Sequence, residues 1–262
     1  MKHTLIFLAS LSILGIPCRA AEEDAPKLRA GAAEVDITPK QFPVNMPGLF
    51  HPRMVERVHD PLYARALVLD DGKTTLALVV VDNIGVAQEA GEEAKSIASK
   101  QCGIDVEKIL VSATHTHTGP PSNVKKGPAP VVAYRKQLVT GIADSIVRAH
   151  AALRPAAAGA TASPVPEEVF CRRWFLKPGK MTPNPFGQMD KVKMNPPRTA
   201  DVLDRPAGPT DPDVTILSVQ DAESAKPLAL LANYSLHYVG RVPAETISAD
   251  YFGEFARLMQ SR

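Results

Sequence analysis

The feature that most constrains the fold is residues 62–82, which read LYARALVLDDGKTTLALVVVD. Two apolar runs flank the pair Asp71-Gly72, a dipeptide typical of tight hairpin turns. The second run, LALVVVD, is apolar throughout and rich in valine, which fits a strand covered on both faces. We therefore expect a β-hairpin within a layered structure.

The rest of the chain predicts strands alternating with helices, followed by a strand-rich second half. Residues 87–100 are amphipathic, and residues 131–153 repeat apolar side chains at three- and four-residue spacing, so both segments predict helices. The predicted strands are AEVDIT just before Pro39, KILVSAT just before His115, and residues 157–162, 214–219 and 228–234. This order predicts an α/β fold of layered mixed β-sheets flanked by helices, incomplete at the C-terminus.

The composition changes at residues 177–212, where proline, glycine and charged residues are dense. Such composition is typical of irregular loops. Long loops without secondary structure are usually functional or disordered when they occur in compact domains. We therefore predict a long Pro/Gly-rich loop at 177–212, within one domain that spans residues 21–262.

The first twenty residues have the pattern of a secretory signal peptide. Lys2 gives a basic start, an apolar core follows, and small residues surround Ala20. Without Lys2 and Arg19 the 30 basic residues fall to 28 and balance the 28 acidic ones. A balanced chain without a basic stripe argues against nucleic acid as a partner and against permanent attachment to a membrane surface. We expect a signal peptide at 1–20 and a secreted or periplasmic protein.

Two cysteines lie outside the predicted signal peptide, Cys102 and Cys171. An exported chain can join them in a disulfide, but the sequence does not set the distance between them. Two free buried thiols are the alternative, and both possibilities stay open.

Two of the seven histidines lie in ATHTHTGP, directly after a predicted strand. If the strand continues to its end, His115 and His117 point to one face because side chains alternate, and three threonines point to the other. Two converging imidazoles suit a metal such as zinc. The alternative is a pair of polar edge residues bonded to the backbone or to water.

A third histidine, His237, follows the predicted strand at 228–234 and precedes Gly240. Sites are commonly built where a strand opens into a loop. On its own, His237 is equally compatible with a core histidine bonded to the backbone. Together with ATHTHTGP it indicates a metal centre, because metal centres gather ligands from separate segments.

Two acidic residues near these segments have alternative roles. Asp60 can orient the imidazole of His59, or the pair can start a turn before Pro61. Asp82 ends an apolar strand, where a carboxylate is costly unless it is paired. It is either a ligand, a group that orients a ligand, or a cap for the following turn.

The segments FCRRWF and ISADYFGEF contain further candidates. The guanidinium of Arg172 or Arg173 can bind a substrate oxygen, and the alternative is that Arg173 stacks on Trp174. Asp250 lies at a predicted helix start, where we expect it to cap the helix.

Taken in order, these segments resemble the N-terminal catalytic domain of the neutral/alkaline non-lysosomal ceramidase family. The resemblance covers residues 30–262, and ATHTHTGP is its most specific part. The matching segments are AGAAEVDITP, VHDPLYARALVLDDG, LVVVDNIG, ILVSATHTHTGP, GPTDPDVTILSVQD, LANYSLHYVG and ISADYFG. The resemblance implies a secreted or surface zinc amidase that cleaves the N-acyl bond of ceramide into a sphingoid base and a fatty acid.

Transferred to this chain, the resemblance implies that His115 and His237 are zinc ligands. His117 is then the neighbouring active-site histidine that contacts the substrate or the attacking water, and Arg172 resembles an active-site arginine. The implied cofactor is Zn2+, and the implied partner is ceramide or another N-acyl lipid, with transient contact to a membrane surface.

In the family the remaining zinc ligands, a glutamate and a tyrosine, follow well after the segment that matches ISADYFG, and an immunoglobulin-like domain is usual at the C-terminus. We therefore expect a fragment of a longer enzyme, the alternative being that Asp82 or Asp250 completes the site. Two functions stay open: a zinc amidase, and a truncated, catalytically inactive exported binding domain.

Overall fold

The computed structural model describes residues 28–48, 53–240 and 242–261 of the 262-residue chain. The predicted signal peptide lies outside the described residues. The helices are α1 (Gln88–Cys102), α2 (Ala129–Ala151) and α3 (Asp250–Gln260). The strands are β1 (Arg29–Asp36), β2 (Val44–Met46), β3 (Arg53–Val55), β4 (Arg57–Val58), β5 (Tyr63–Asp70), β6 (Thr75–Val81), β7 (Ile109–Ala113), β8 (Arg154–Pro164), β9 (Arg173–Leu176), β10 (Lys193–Met194), β11 (Leu203–Pro206), β12 (Asp213–Asp221), β13 (Pro227–Asn233) and β14 (Thr246–Ile247). Short 3₁₀ turns lie at Val106–Lys108 and Pro166–Glu168.

The predicted hairpin is confirmed. β5 and β6 pair antiparallel, from Ala64 opposite Val81 to Asp70 opposite Thr75. The carboxylate of Asp71 closes the turn by accepting the backbone N–H groups of two following residues. Such side-chain-to-backbone bonds are the reason that aspartate favours turns.

Seven strands form the main sheet, in the order β13-β12-β8-β1-β5-β6-β7. Only β6 and β7 are paired in parallel; the other neighbours are antiparallel. Helix α1 connects the parallel pair, as a crossover requires. The architecture confirms the predicted class of layered mixed sheets with helices.

Helices α1 and α2 cover one face of β1, β5, β6 and β7, which we call the covered strands. The buried residues of α1 are small (Ala90, Gly91, Ala94 and Ala98), whereas α2 buries large ones such as Leu138 and Ile142. β1 approaches α2 so closely that a Cβ on Gly31 would lie 2.1 Å from the carbonyl oxygen of Ala149. The covered strands therefore form the packed core of the protein.

The opposite face of the covered strands packs against β8, β12 and β13, which we call the outer strands. Alternate residues of β5 serve the two faces: Ala66 and Val68 belong to the helix-side core, and Leu67 belongs to a smaller cluster with Ala156 and Val219 of the outer strands. Both faces of β5 are thus covered. The residue–residue pairing between β1 and β8 is limited to two pairs.

The sheet bends sharply where β1 meets β8. A flat seven-stranded sheet would separate β7 from β13 by roughly 29 Å, at about 4.8 Å per step. Yet the rings of His115 and His237, which follow these two edge strands, are centred 5.2 Å apart. The short β1–β8 pairing lets the outer strands fold back over the sheet, and this bend brings its two edges together.

The prediction of an irregular loop at 177–212 is only partly right. The segment contains β10 and β11, which pair with β9 in a separate three-stranded sheet of order β10-β9-β11. Such short strands carry too little hydrophobic periodicity to be predicted from sequence. No helix among the described residues is long and apolar enough to cross a membrane.

Candidate metal centre

Three histidines converge at the bent edge of the sheet. The ring centroids of His115 and His117 lie 4.8 Å apart, and that of His237 lies 5.2 Å from the first and 5.1 Å from the second. One ligand nitrogen from each ring falls within 4.8 Å of the others. In the described part of the chain this is the one group of at least three His, Cys, Asp or Glu side chains that can hold a metal ion.

The predicted reason for this convergence is wrong. β7 ends at Ala113, so strand alternation does not orient the two histidines. His115 instead has a φ of 70°, a left-handed conformation that is uncommon outside glycine. Non-glycine residues in this region are strained, and they persist where surrounding bonds hold them.

Two bonds hold His115 in this conformation. Its backbone N–H donates to the carbonyl of Asn83 at 2.9 Å, and its ring Nδ1 lies 2.7 Å from the carbonyl oxygen of Ile84. A carbonyl can only accept, so Nδ1 carries the proton and Nε2 carries the lone pair. The bond to Ile84 therefore fixes the tautomer that binds metal through Nε2.

Asn83 is a supporting residue that sequence reasoning missed. It is fully buried, and its amide donates to the carbonyl of Pro120 at 3.0 Å and to the hydroxyl of Tyr134 at 2.9 Å. These bonds tie the turn after β6 to helix α2. The signal was available in LVVVDNIG, where an asparagine follows a buried strand.

His117 is oriented in the same way by a different segment. Its Nδ1 donates to the carbonyl of Gly48, and its Nε2 is buried without a hydrogen-bond partner among the described residues. A Cβ on Gly48 would lie 2.2 Å from the carbonyl oxygen of His117, so only glycine fits there. An unpartnered buried nitrogen is costly, and a metal or substrate atom would satisfy it.

His237 comes from the outer strands, in the loop after β13. Partial desolvation of the ring, then the nearby charge of Arg172, then His117 and His115 lower the pKa of His237. A lowered pKa favours the neutral imidazole, which is the form that binds metal. His115 and His237 are exposed, so the cluster is open to solvent on one side.

The chemistry of the cluster fits zinc. Neutral histidine nitrogens with fixed tautomers are preferred zinc ligands, and a catalytic zinc commonly has three protein ligands and one open position. Tetrahedral Zn–N bonds of about 2.1 Å place two ligand nitrogens roughly 3.4 Å apart. Small side-chain rotations therefore suffice to bring two of these nitrogens, which lie within 4.8 Å of each other, onto one ion, with the third ring beside it.

The two arginines predicted as site candidates, Arg172 and Arg173, have different surroundings. The charge of Arg172 is close enough to His237 to lower its pKa, so the predicted active-site arginine lies near the cluster. The cation–π contacts of the described residues join Arg65 to Tyr63, Arg198 to Phe170 and Arg205 to Phe175. Stacking of Arg173 on Trp174 is not among them; Trp174 instead donates its indole N–H to the carbonyl of Cys171.

Asp82 lies apart from the histidine cluster. It is fully buried and pairs with Arg65, whose Nη1 is 2.6 Å from its Oδ2, and that oxygen also accepts the backbone N–H of Tyr63. Asp82 therefore holds β5 to the end of β6, and it neither binds at the cluster nor caps a turn.

Asp60 and Asp250 bracket the start of α3. The Asp60 carboxylate accepts bonds from the hydroxyl of Ser248 and the N–H of Ala249, whereas its distance to His59 Nε2 is 4.0 Å. Asp250 is the first residue of α3 and not its N-cap, which is Ala249, so the predicted capping role is wrong; its carboxylate accepts the N–H of the next residue, Tyr251. Both aspartates lie outside the histidine group.

Cys102 and Cys171 are free thiols.

Comparison with known proteins agrees with the sequence resemblance. The family model described as neutral/alkaline non-lysosomal ceramidase, N-terminal, matches residues 28–262. The neutral ceramidase of Pseudomonas aeruginosa is 30% identical over 162 residues, which cover 58% of this chain and 24% of that protein.

Solved structures show the same fold. The crystal structure of the P. aeruginosa neutral ceramidase matches with a TM-score of 0.63 at 21% identity, over 88% of this chain and 35% of that one. A ceramidase complexed with C2 matches with a TM-score of 0.62 at 21% identity, over 87% and 34%. The chain thus spans about a quarter to a third of the relatives it matches.

Proposed function

Because this chain belongs to the neutral/alkaline non-lysosomal ceramidase family, we propose that it is the histidine-bearing part of a secreted zinc-dependent amidase. The proposed reaction is hydrolysis of the N-acyl bond of ceramide or a related N-acyl lipid. The observation that carries the proposal is the convergence of three imidazoles from two distant segments. His115 and His237 are the proposed metal ligands, and His117 is the proposed acid–base group.

When bound, zinc supplies a Lewis acid for the scissile carbonyl and lowers the pKa of its bound water to about 7. His115 offers Nε2 because Ile84 holds its Nδ1 proton. His237 offers a neutral ring because partial desolvation and the charge of Arg172 lower its pKa.

His117 is suited to move the proton in this reaction. Gly48 fixes its Nδ1 proton, so Nε2 is free to accept a proton from the attacking nucleophile and to return it to the leaving amine. Arg172, whose guanidinium is permanently charged, is suited to bind a lipid oxygen or a developing negative charge beside His237.

The test measures zinc content and hydrolysis of a fluorescent N-acyl sphingosine in the purified protein. We expect a single zinc ion per chain, removed by chelation together with the hydrolysis and restored by zinc. His115→Gln should lose both zinc and hydrolysis. His117→Gln should keep zinc while kcat falls by about 10²–10⁴-fold, the usual size of acid–base catalysis.

His150→Gln is the matched control, because His150 lies in the last turn of α2 and outside the cluster. It should leave zinc content and kcat unchanged. Zinc binding without hydrolysis would favour the alternative of an inactive binding domain. A protein that takes up no zinc would overturn the metal centre itself.

A further inference from the structure

The threonines of ATHTHTGP do not take part in the proposed metal chemistry, but two of them make hydrogen bonds to a buried residue. We call residues 114–118 the histidine loop and residues 246–249 the anchor segment. The loop alternates Thr and His, and two of its threonine hydroxyls converge on one atom of the anchor segment. Thr116 Oγ1 donates to the carbonyl oxygen of Ser248 at 2.8 Å, and Thr118 Oγ1 donates to the same oxygen at 2.7 Å.

This contact is buried and uses the full bonding capacity of one carbonyl. Thr116 is fully buried and Ser248 nearly so. A carbonyl oxygen has two lone pairs, and the two hydroxyls occupy both. A return bond runs from the N–H of Ser248 to the carbonyl of Thr118 at 3.4 Å. The histidine loop is therefore held on either side of His117.

Asp60 holds the anchor segment from its other side. Its two carboxylate oxygens accept the hydroxyl of Ser248 and the N–H of Ala249, the latter at 2.7 Å. Bonds to an ionised carboxylate are about twice as strong as neutral ones. The anchor segment is also held by the parallel pairing of β14 with β4. In addition, the backbone N–H of His59 donates to the carbonyl of Ile247.

We propose that Thr116 and Asp60 are positioning residues for the metal centre, acting through Ser248. The inference rests on the proposed function, since it assumes that the histidine loop binds zinc. Neither side chain belongs to the imidazole group. Their role is to restrict the loop to the conformation in which His115, with its φ of 70°, and His117 face the same point.

The expected loss of zinc affinity follows from the fraction of the protein in which the histidine loop has its metal-binding conformation. If removing one hydroxyl leaves the competent loop conformation at roughly a tenth of the ensemble, the apparent zinc affinity falls about tenfold. Loss of a residue that bonds directly to a metal ligand usually lowers metal affinity by about 10–100-fold. Thr116 and Asp60 act on the ligands indirectly, so we expect a loss at the lower end, about tenfold.

The same loop offers a matched control. The hydroxyl of Thr114 is buried but has no hydrogen-bond partner among the described residues. Both Thr114→Val and Thr116→Val remove a threonine hydroxyl from the histidine loop. Only Thr116→Val also removes a hydrogen bond. Thr116→Ser keeps the hydroxyl and removes only a methyl group.

The experiment measures zinc affinity by chelator competition, and the visible spectrum of the Co2+-loaded protein as a report on ligand geometry. Thr116→Val should lose about tenfold in affinity and alter the spectrum, whereas Thr114→Val and Thr116→Ser should stay within about twofold. Thermal unfolding of the metal-free variants tests whether each is folded. Should Thr116→Val not fold, Asp60→Asn carries the test, with a smaller loss of affinity expected.

The double variant Asp60→Asn/Thr116→Val tests whether the two residues act through the same group. Because both residues act through Ser248, the double variant should lose less than the sum of the single losses in binding free energy. Strictly additive losses, or equal affinities for Thr116→Val and Thr114→Val, would overturn the positioning role and leave the zinc amidase proposal standing. A wild-type chain without zinc affinity would overturn both.

Discussion

The covered strands and the outer strands contribute to one site from very different surroundings. Among the covered strands, β5 is buried on both faces, and helix α2 packs against the sheet. The turn that follows β6 holds His115 through bonds to Asn83 and Ile84. The outer strands are largely exposed; of the eleven residues in β8 one is buried. His237 lies at the end of this less packed half.

This difference indicates how a site can be both ordered and open. The histidine loop is fixed before any ligand arrives, because its tautomers and its backbone are set by buried partners. The third ring belongs to a segment with few bonds: Tyr234 donates its hydroxyl to Val165, and Ser235 to Asp211 at 3.2 Å. Less packed segments are the usual source of movement at ligand sites.

The largest expected effect tests the difference in packing directly. Leu138 on α2 is 0% exposed, whereas Leu230 on β13 is 40% exposed. Leu138→Ala should lower the free energy of unfolding by about 2–5 kcal/mol through lost burial and a cavity. The same change at Leu230 should cost about 1 kcal/mol or less. Urea unfolding of both variants measures this, and equal losses would contradict the division into two halves.

The next effect concerns the two proposed ligands. His115→Gln and His237→Gln should each lower zinc affinity by at least about 100-fold, since each removes a ligand. Their effects on the metal-free protein should differ. His115→Gln loses the bond to Ile84 and about 1 kcal/mol of stability, whereas His237→Gln should stay within about 0.5 kcal/mol. Chelator competition and urea unfolding separate the two quantities; a destabilised His237→Gln protein would show that the outer segment is as firmly held as the loop.

A smaller effect is expected from Tyr234, which holds the segment before His237. Tyr234→Phe removes the hydroxyl bond to Val165 and should cost about 1 kcal/mol of stability. Tyr238→Phe is the control, because the Tyr238 hydroxyl bonds to no residue that the structure describes, while its ring packs on Tyr251. Thermal unfolding compares the two. No difference between them would mean that the Val165 bond does not hold the outer segment.

The sequence predicted the main strands of both halves: the predicted segments 157–162, 214–219 and 228–234 correspond to β8, β12 and β13. Apolar runs and a turn dipeptide locate β5, β6, α1 and α2, because burial imposes periodicity on them. The histidine cluster was predicted from residue type and position, yet its geometry was not: the φ of His115 and the bend at β1–β8 depend on contacts between distant segments. The short strands β10 and β11 and the supporting roles of Asn83 and Gly48 likewise follow from tertiary contacts, which leave little local pattern.

The smallest expected effect is a difference in pH dependence between two aspartates at strand ends. Asp82 directly follows β6 in the covered half, where burial raises its pKa despite the bond to Arg65. Asp221 ends β12 in the outer half, where bonds from the backbone N–H and the hydroxyl of Ser224 lower its pKa. The other charged or titratable groups around Asp82 are Tyr63, Asp60 and Tyr134.

The two shifts have opposite consequences. A carboxyl whose folded pKa lies above its unfolded value of about 3.9 loses stability as pH rises through the folded pKa, because its ionised form is the less favourable one in the folded protein. A carboxyl with a lowered folded pKa loses its stabilising contribution as pH falls. Relative to wild type, Asp82→Asn should therefore gain stability as pH rises from about 4, whereas Asp221→Asn should lose it over the same acidic range. Urea unfolding from acid to neutral pH measures both differences. If both variants follow the same trend, burial in the covered half does not determine the titration of Asp82, and the contrast between the two halves does not extend to their electrostatics.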